Sequence, residues 1–270
     1  METLLPIGQA VDQRSDQNIC NADNNFIHTW QQMMATSPKG EIQAIDDLVI
    51  TSCGISVPFF NTVFATPQRP FTEQDIAVAK GYFSKINKSF QFCAHEPISE
   101  QCAGLFKEQG FVLETVLPGM IFSDTFELPI NKNVLTVIQP STEEELSQYI
   151  TLVSEAYDLP GWLARQILNA DFIAQQNVHL YLALVDGVPV STSMLVNTPE
   201  VAGIYWVATG KTARKKGYGE RVTWHAVREA LKQGHSSVIL QASAMGEPIY
   251  QRMGFKTICR YQLWTYDAGS

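Results

Sequence analysis

Val201-Ala202-Gly203-Ile204-Tyr205-Trp206-Val207-Ala208-Thr209 is an apolar run of strand character. It leads to Arg214-Lys215-Lys216-Gly217-Tyr218-Gly219, a basic loop containing two glycines. A helical pattern follows from Glu220 to Lys232, and further on comes Tyr250-Gln251-Arg252-Met253-Gly254-Phe255. A strand that feeds a glycine loop opening a helix is a device for holding phosphate. The loop's N–H groups and the free N–H groups of the first helical turn face one anion, and the helix dipole adds partial positive charge. Three cations and no acid make this loop attractive to a polyphosphate.

At these residues the sequence resembles the GCN5-related N-acetyltransferases (GNAT). Their pyrophosphate loop reads Gln/Arg-x-x-Gly-x-Gly/Ala after the fourth strand, and a later segment ends Tyr-x-x-x-Gly-Phe. The matches are Arg214-x-x-Gly217-x-Gly219 and Tyr250-x-x-x-Gly254-Phe255, and the resemblance covers roughly residues 133 to 270. Gly210-Lys211-Thr212 imitates the end of a Gly-x-x-x-x-Gly-Lys-Thr nucleotide loop, but Tyr205 stands where that loop needs its first glycine.

At 270 residues the chain has room for one large or two ordinary domains. A net charge of -8 argues against a general nucleic-acid or anionic-membrane binder. The first residues lack the basic segment and apolar core of a secretory signal, and no apolar run reaches the ~20 residues that span a bilayer. Cys20, Cys53, Cys93, Cys102 and Cys259 are scattered and odd in number, which favours reduced thiols and a cytoplasmic protein. Cys93-Ala94-His95 with Cys102 is read as buried thiols beside an incidental histidine, so no metal is expected.

An internal echo extends the reading to the first half. Leu105-Phe106-Lys107-Glu108-Gln109-Gly110-Phe111 parallels Ile249 to Phe255: an apolar-aromatic pair ends a helical run, and Gly-Phe breaks into a strand. In the first half the patterns predict a helix over Asp23–Ala35, strands over Leu48–Cys53 and Pro58–Ala65, and a helix over Thr72–Asn87. A strand over Phe90–Ala94, a helix over Ser99–Gln109 and a strand over Phe111–Ile121 follow. The second half predicts a strand over Val134–Ile138, helices over Thr142–Tyr157 and Trp162–Asn169, and a hairpin turned at Asp186-Gly187. After strand 201–209 come a helix over 219–233, a strand over 238–242, a short helix to Met253 and a last strand to Trp264. Thr72/Asp75 and Thr142/Glu145 have capping-box spacing.

The expected fold is therefore α/β: two tandem GNAT-like domains, each a mixed, mostly antiparallel sheet flanked by helices. Residues 1–130 form a degenerate copy and 131–270 the acetyltransferase domain, joined near Glu127 to Asn133. The first copy is degenerate because Thr66-Pro67-Gln68-Arg69-Pro70-Phe71, where its pyrophosphate loop falls, lacks glycine, and its prolines supply no N–H.

The resemblance implies acetyl-coenzyme A as cosubstrate, bound by Arg214, Lys215, Lys216, Gly217, Tyr218 and Gly219. It also implies that the backbone of Val207, Ala208 and Thr209 pairs with pantetheine as an added strand would. Tyr250 aligns with the tyrosine that protonates the departing thiolate, a role suited to a phenol of pKa near 10. Phe106, at the matching place in the first half, has no hydroxyl. Glu155, Asp158, His179, Glu200 and Glu247 are alternatives for the base that deprotonates the amine, and His225 and His235 are read as structural. Trp162, Tyr205 and Trp206 are candidates for an acceptor pocket or for plain core.

The leading expectation is an N-acetyltransferase acting on a small-molecule or peptide amine. A non-catalytic acyl-coenzyme A sensor, another acyl donor and an O-acceptor are the alternatives.

Overall fold

The computed structural model describes residues 7–123 and 135–268. The first half opens with a long helix, α1 (Ile7–Thr36), followed by β1 (Glu41–Ile45), β2 (Leu48–Ser52) and β3 (Thr62–Ala65). It is completed by α2 (Glu73–Ile86), β4 (Phe90–His95), α3 (Ile98–Glu108) and β5 (Val112–Phe122). The second half begins β6 (Thr136–Ile138), α4 (Glu143–Tyr157), α5 (Gly161–Ile167) and α6 (Ala170–Ile173). Then come β7 (Val178–Val185), β8 (Val188–Asn197), β9 (Ala202–Thr209), α7 (Tyr218–Lys232), β10 (Val238–Gln241), α8 (Glu247–Arg252) and β11 (Lys256–Tyr266).

Local chemistry accounts for many of these boundaries. Both capping boxes form: Thr72 accepts from the Asp75 N–H and Thr142 from the Glu145 N–H, with the carboxylates reaching back to the cap. Asp186 and Gly187 take φ of 50° and 79°, the left-handed pair that a two-residue hairpin turn requires. Gly110 and Gly254, the two members of the echoed Gly-Phe motif, share nearly the same conformation, at φ of 84° and 90°.

The expectations differ from the structure in four places. The first helix begins at Ile7 rather than Asp23, and β1 is an addition to the expected elements. Pro58–Phe60 is a 3-10 turn, because proline suits a helical first position but cannot donate to a ladder. The helix expected over Trp162–Asn169 ends at Ile167, where Asn169 caps α6 instead by accepting from the Phe172 N–H. The expected joint at Glu127–Asn133 and the start of the strand at Val134 lie outside the described residues.

The eleven strands among the described residues form one sheet, in the order β1-β2-β3-β4-β11-β5-β10-β9-β8-β7-β6. The two halves are related by pseudo-symmetry about its centre. In the first, β2 and β3 are antiparallel and β3 and β4 parallel; in the second, β8 and β9 are antiparallel and β9 and β10 parallel. Each half lends its last strand to the other. β11 pairs with β4, β5 pairs with β10, and β5 and β11 pair antiparallel from Lys256↔Ile121 to Thr265↔Val112. The mixed, mostly antiparallel sheets of the two halves are thus continuous through exchanged strands.

One core layer spans both halves. Phe26, Trp30, Met33 and Met34 of α1 share a cluster with Tyr149 and Val153 of α4, Leu163 of α5 and Phe172 of α6. Two separate clusters cover the opposite face, one under α2 and α3 and one under α7 and α8. Burying each of these large side chains contributes about 1.5–3 kcal/mol. Helix α1 is also fastened to the second half by polar bonds. Asn25 donates to the Val196 carbonyl at 3.0 Å and accepts from the Tyr205 hydroxyl at 2.7 Å, while Asp23 accepts from the Tyr261 hydroxyl at 2.8 Å.

Candidate active site

The candidate site lies where β9 and β10 part. These parallel strands are paired only from Ala202↔Val238 to Ile204↔Leu240, so β9 runs on from Tyr205 to Thr209 without β10 beside it. The separation coincides with a bulge. Between Thr192↔Ala208 and Met194↔Tyr205 the register shifts, and Trp206 takes a φ of 51°, a conformation uncommon for a bulky side chain. The Thr192 hydroxyl steadies the kink by donating to the Trp206 carbonyl at 2.8 Å and accepting from the Ala208 N–H at 3.3 Å. Val207 and Thr209 are half-buried at the open edge, while Ala208 is buried.

The basic loop lies directly after this edge. Arg214, Lys215, Lys216 and Gly217 are exposed, and the Arg214 Nε donates to the Thr209 carbonyl at 3.3 Å. Lys215 and Gly217 both have positive φ, at 63° and 76°. Gly217 is the N-cap of α7, and no side chain caps that helix. A Cβ at Gly217 would meet no protein atom within 4 Å, so the space beside it is open. Gly219 serves close packing instead, because a Cβ there would lie 3.0 Å from the Thr209 hydroxyl. The first N–H groups of α7, next to this loop, are left without a side-chain cap.

Tyr250 of α8 stands in the same region, half-buried against Phe255 and beside Thr223 of α7. Burial pushes its pKa up to about 12, so the phenol carries its proton throughout the physiological range. A second phenol joins it that no sequence motif marks. Tyr157, in the last turn of α4, donates its hydroxyl to the Val207 carbonyl at 3.2 Å and meets Trp206 edge-on with centroids 5.0 Å apart. Its ring is exposed, but desolvation at the hydroxyl seated on Val207, and then the nearby Tyr250, raise its pKa as well. The place of Tyr157 follows from where α4 ends over the bulge.

The other candidate residues divide clearly. Glu247 is held by Arg260 at 3.0 Å and by the Thr257 hydroxyl at 3.2 Å. His179 lies against Asn197, and His225 packs edge-on against Tyr181. Burial lowers the pKa of His179, His225 and His235. Glu200 borders a groove of about 320 Å³ beside α1, lined by Asn24, His28 and Gln31. Glu155 and Asp158 are exposed at the end of α4, close in sequence to Tyr157. Tyr205 is core, bound to Asn25; Trp206 is buried on the bulge, and Trp162 is exposed.

The corresponding place in the first half is built to the opposite plan. The α2 N-terminus is closed by its own capping box, with Asp75 accepting from the Thr72 N–H at 2.7 Å. Arg69 bridges Asp75 and Asp47, with its Nη1 donating to Asp75 at 2.7 Å. Burial works against ionisation of Asp75, yet Arg69 and Thr72 hold its carboxyl below the ordinary value. Phe71 is buried against Phe92 and Phe106, and Phe106 stacks on Trp264 at 5.3 Å. Carboxylates and rings fill this position.

Among the described residues no group of three or more His, Cys, Asp or Glu side chains is arranged to hold a metal ion. No described helix is long and apolar enough to cross a membrane. None of the five cysteines is in a disulfide, and burial raises the thiol pKa of Cys53, Cys93, Cys102 and Cys259.

The parted strands, the open glycine loop and the uncapped helix fall inside a matched family segment: residues 143–255 fit the acetyltransferase (GNAT) family. The chain carries a GNAT acetyltransferase domain. Solved structures show that the likeness in fold extends across both halves. A GCN5-related N-acetyltransferase from Kribbella flavida is 18% identical and superposes with a TM-score of 0.69, over 89% of this chain and 93% of that one. A GCN5-related N-acetyltransferase from Sphaerobacter thermophilus is 14% identical, with a TM-score of 0.60 over 84% of this chain and 83% of its own. A tandem GNAT protein from the clavulanic acid biosynthesis pathway is 13% identical, with a TM-score of 0.61 over 90% of this chain and 95% of its own. No curated protein matches by sequence. The GNAT domain places this chain among the acyltransferases.

Proposed function

We propose that the protein is an acetyl-coenzyme A-dependent N-acetyltransferase with one active site, in residues 131–270, and that residues 1–130 are a degenerate copy that binds no donor. The observation that carries this reading is the uncapped α7 N-terminus at an open strand edge, set against the self-capped α2 N-terminus in the first half.

In this reading Gly217, Tyr218 and Gly219, with the loop residues Arg214, Lys215 and Lys216, hold the pyrophosphate through backbone N–H groups. The edge of β9 at Val207, Ala208 and Thr209 receives pantetheine as a strand receives a neighbour. A β9 N–H at the bulge polarises the thioester carbonyl and stabilises the oxyanion. The amine nitrogen attacks the carbonyl carbon, forming the C–N bond, and the tetrahedral intermediate collapses with cleavage of the C–S bond. The Tyr250 hydroxyl gives its proton to the sulfur, and the proton lost by the amine goes to solvent. A phenol whose pKa is pushed to about 12 is fully protonated when needed and is re-protonated from water after each turnover.

The test is a product screen. Incubation with acetyl-coenzyme A and a panel of primary amines should release free thiol and yield an amide of the acceptor, read by mass spectrometry. Donor binding without amide from any amine would reject the enzyme in favour of a sensor.

A further inference from the structure

A groove of about 320 Å³ runs between α1, the end of β3 and the turn from β8 to β9, where the two halves meet. It lies at the first half's own strand parting. β3 and β4 are paired only at Thr62↔Gln91 and Val63↔Phe92, and Thr66, directly after β3, lines the groove. Ile27 and Val49, both buried, give it an apolar side. A concavity of this size, with an apolar surface and a few polar groups, has the make-up of a small-molecule site.

The polar lining has a definite chemistry. Asn24, His28 and Gln31 recur at helical spacing, so one stripe of α1 borders the groove. Glu200, exposed on the β8–β9 turn, faces this stripe, and among the described lining residues there is no lysine or arginine. The side chains of His28, Gln31 and Glu200 form no hydrogen bond or ion pair with other described residues. Burial lowers the His28 pKa, so its imidazole is neutral at ordinary pH and one ring nitrogen accepts. A carboxylate, a neutral imidazole and two amide oxygens are acceptors that a primary ammonium, with three N–H donors and a positive charge, complements. An anion would instead meet the Glu200 carboxylate.

We propose that this groove is a second small-molecule site, separate from the parted edge of β9, and that its ligand is a primary ammonium group on a short apolar chain. Binding here requires no acetyl-coenzyme A and stands apart from the reading of the second half. The groove is nonetheless joined to β9. Thr198 on its rim accepts from the Asn25 amide at 3.1 Å, and Asn25 accepts from the Tyr205 hydroxyl at 2.7 Å. An occupant therefore sits two hydrogen bonds from the residue that precedes the Trp206 bulge.

Nuclear magnetic resonance of the isotope-labelled, full-length protein in neutral buffer decides it. The probe is n-butylamine hydrochloride, and butyrate and n-butanol carry the same chain without the ammonium. The His28 imidazole, identified with His28→Gln, and the Asn24 and Gln31 side-chain amides should shift saturably, with a Kd on the order of 1–10 mM for the amine. Glu200→Gln keeps the size of an exposed side chain and should weaken the amine by about three- to tenfold, with the rest of the spectrum native. Absence of a saturable shift at these groups overturns the proposal. So does equal affinity for butyrate or n-butanol, or a Glu200→Gln protein that binds the amine as the parent does. Shifts confined to Val207, Ala208 and Thr209 would place the amine in the second half alone and overturn it as well.

Discussion

Gly217 opens α7 where Thr72 opens α2, at the same step of two matching strand–loop–helix units, and the two residues treat the N–H groups behind them in opposite ways. Thr72 and its partner Asp75 occupy the donors of α2 in a capping box. Gly217, at φ 76°, brings no side chain to α7 and leaves the approach open. A helix start in water gains about 1 kcal/mol from a good side-chain cap, and in the proposed reading the uncapped start beside the basic loop keeps its donors for the pyrophosphate.

Gly217→Val should therefore abolish measurable acetyl-coenzyme A binding while leaving the fold intact. A branched side chain at positive φ is strained, and it would occupy the space a pyrophosphate needs. Lys215→Ala should weaken binding less, because an exposed charge is screened by salt. Calorimetry reads both, with circular dichroism as the control. A Gly217→Val protein that binds as the parent does would move the donor elsewhere.

The same contrast predicts stoichiometry. One acetyl-coenzyme A should bind per chain, since Asp47, Arg69 and Asp75 already satisfy one another at the first-half position. Two equivalent sites in a titration would contradict this, as would loss of donor binding in Asp75→Asn with the fold preserved.

Tyr250→Phe removes one hydroxyl and little packing. Turnover should fall by roughly ten- to ten-thousandfold, as for loss of a general acid, with donor affinity little changed. The parent should show no loss of activity from Tyr250 ionisation at ordinary pH, because its pKa is pushed up to about 12. Unchanged turnover in the variant would make Tyr250 a packing residue.

Much of this is legible in the residues. The capping boxes, the Asp186-Gly187 turn, the paired Gly-Phe motifs and the glycine loop are local signals, and local signals fix element type and order. What cannot be read is long-range. No periodicity in Val112–Phe122 or Lys256–Tyr266 states that each strand will pair in the other half, because strand pairing depends on partners far along the chain. Tyr157 escapes a sequence reading for the same reason: it reaches the candidate site only when α4 is laid over the β9 bulge. In sequence Arg69 is one residue of a loop without glycine, and its two carboxylate partners are supplied by a hairpin turn and a helix start.

Strand exchange makes a prediction about truncation. A fragment of residues 131–270 lacks β5, which lies between β10 and β11, and lacks the α1 rings Phe26 and Trp30. It would expose the edge of β10 and a large apolar face. The fragment should aggregate or lack cooperative unfolding, as seen by size-exclusion chromatography and thermal melting. A monomeric fragment that melts cooperatively and binds acetyl-coenzyme A would show that the exchanged strand is dispensable.

His95 supplies a pH dependence. It lies on β4, where it faces Tyr261 of β11, and its Nε2 is 3.3 Å from the Asp23 carboxylate of α1. The contact joins α1 to the seam of the exchanged strands. Burial lowers the His95 pKa, but the hydrogen bond and charge of Asp23, with the Glu96 carbonyl at Nδ1, outweigh it and leave the value raised. A raised histidine pKa means that the native state holds the proton more tightly than the unfolded chain, whose value is about 6.5. The resulting stabilisation is complete below about pH 6.5 and is lost as pH rises through the native value. His95→Gln keeps a donor toward Asp23 but cannot carry the charge. It should melt lower than the parent in mild acid, by an amount on the order of 1–3 kcal/mol for a weakened buried charged bond, and the gap should narrow as pH rises through the native value. Thermal melts of both proteins from mild acid to mild base make the comparison, and curves that stay parallel would remove His95 as the source.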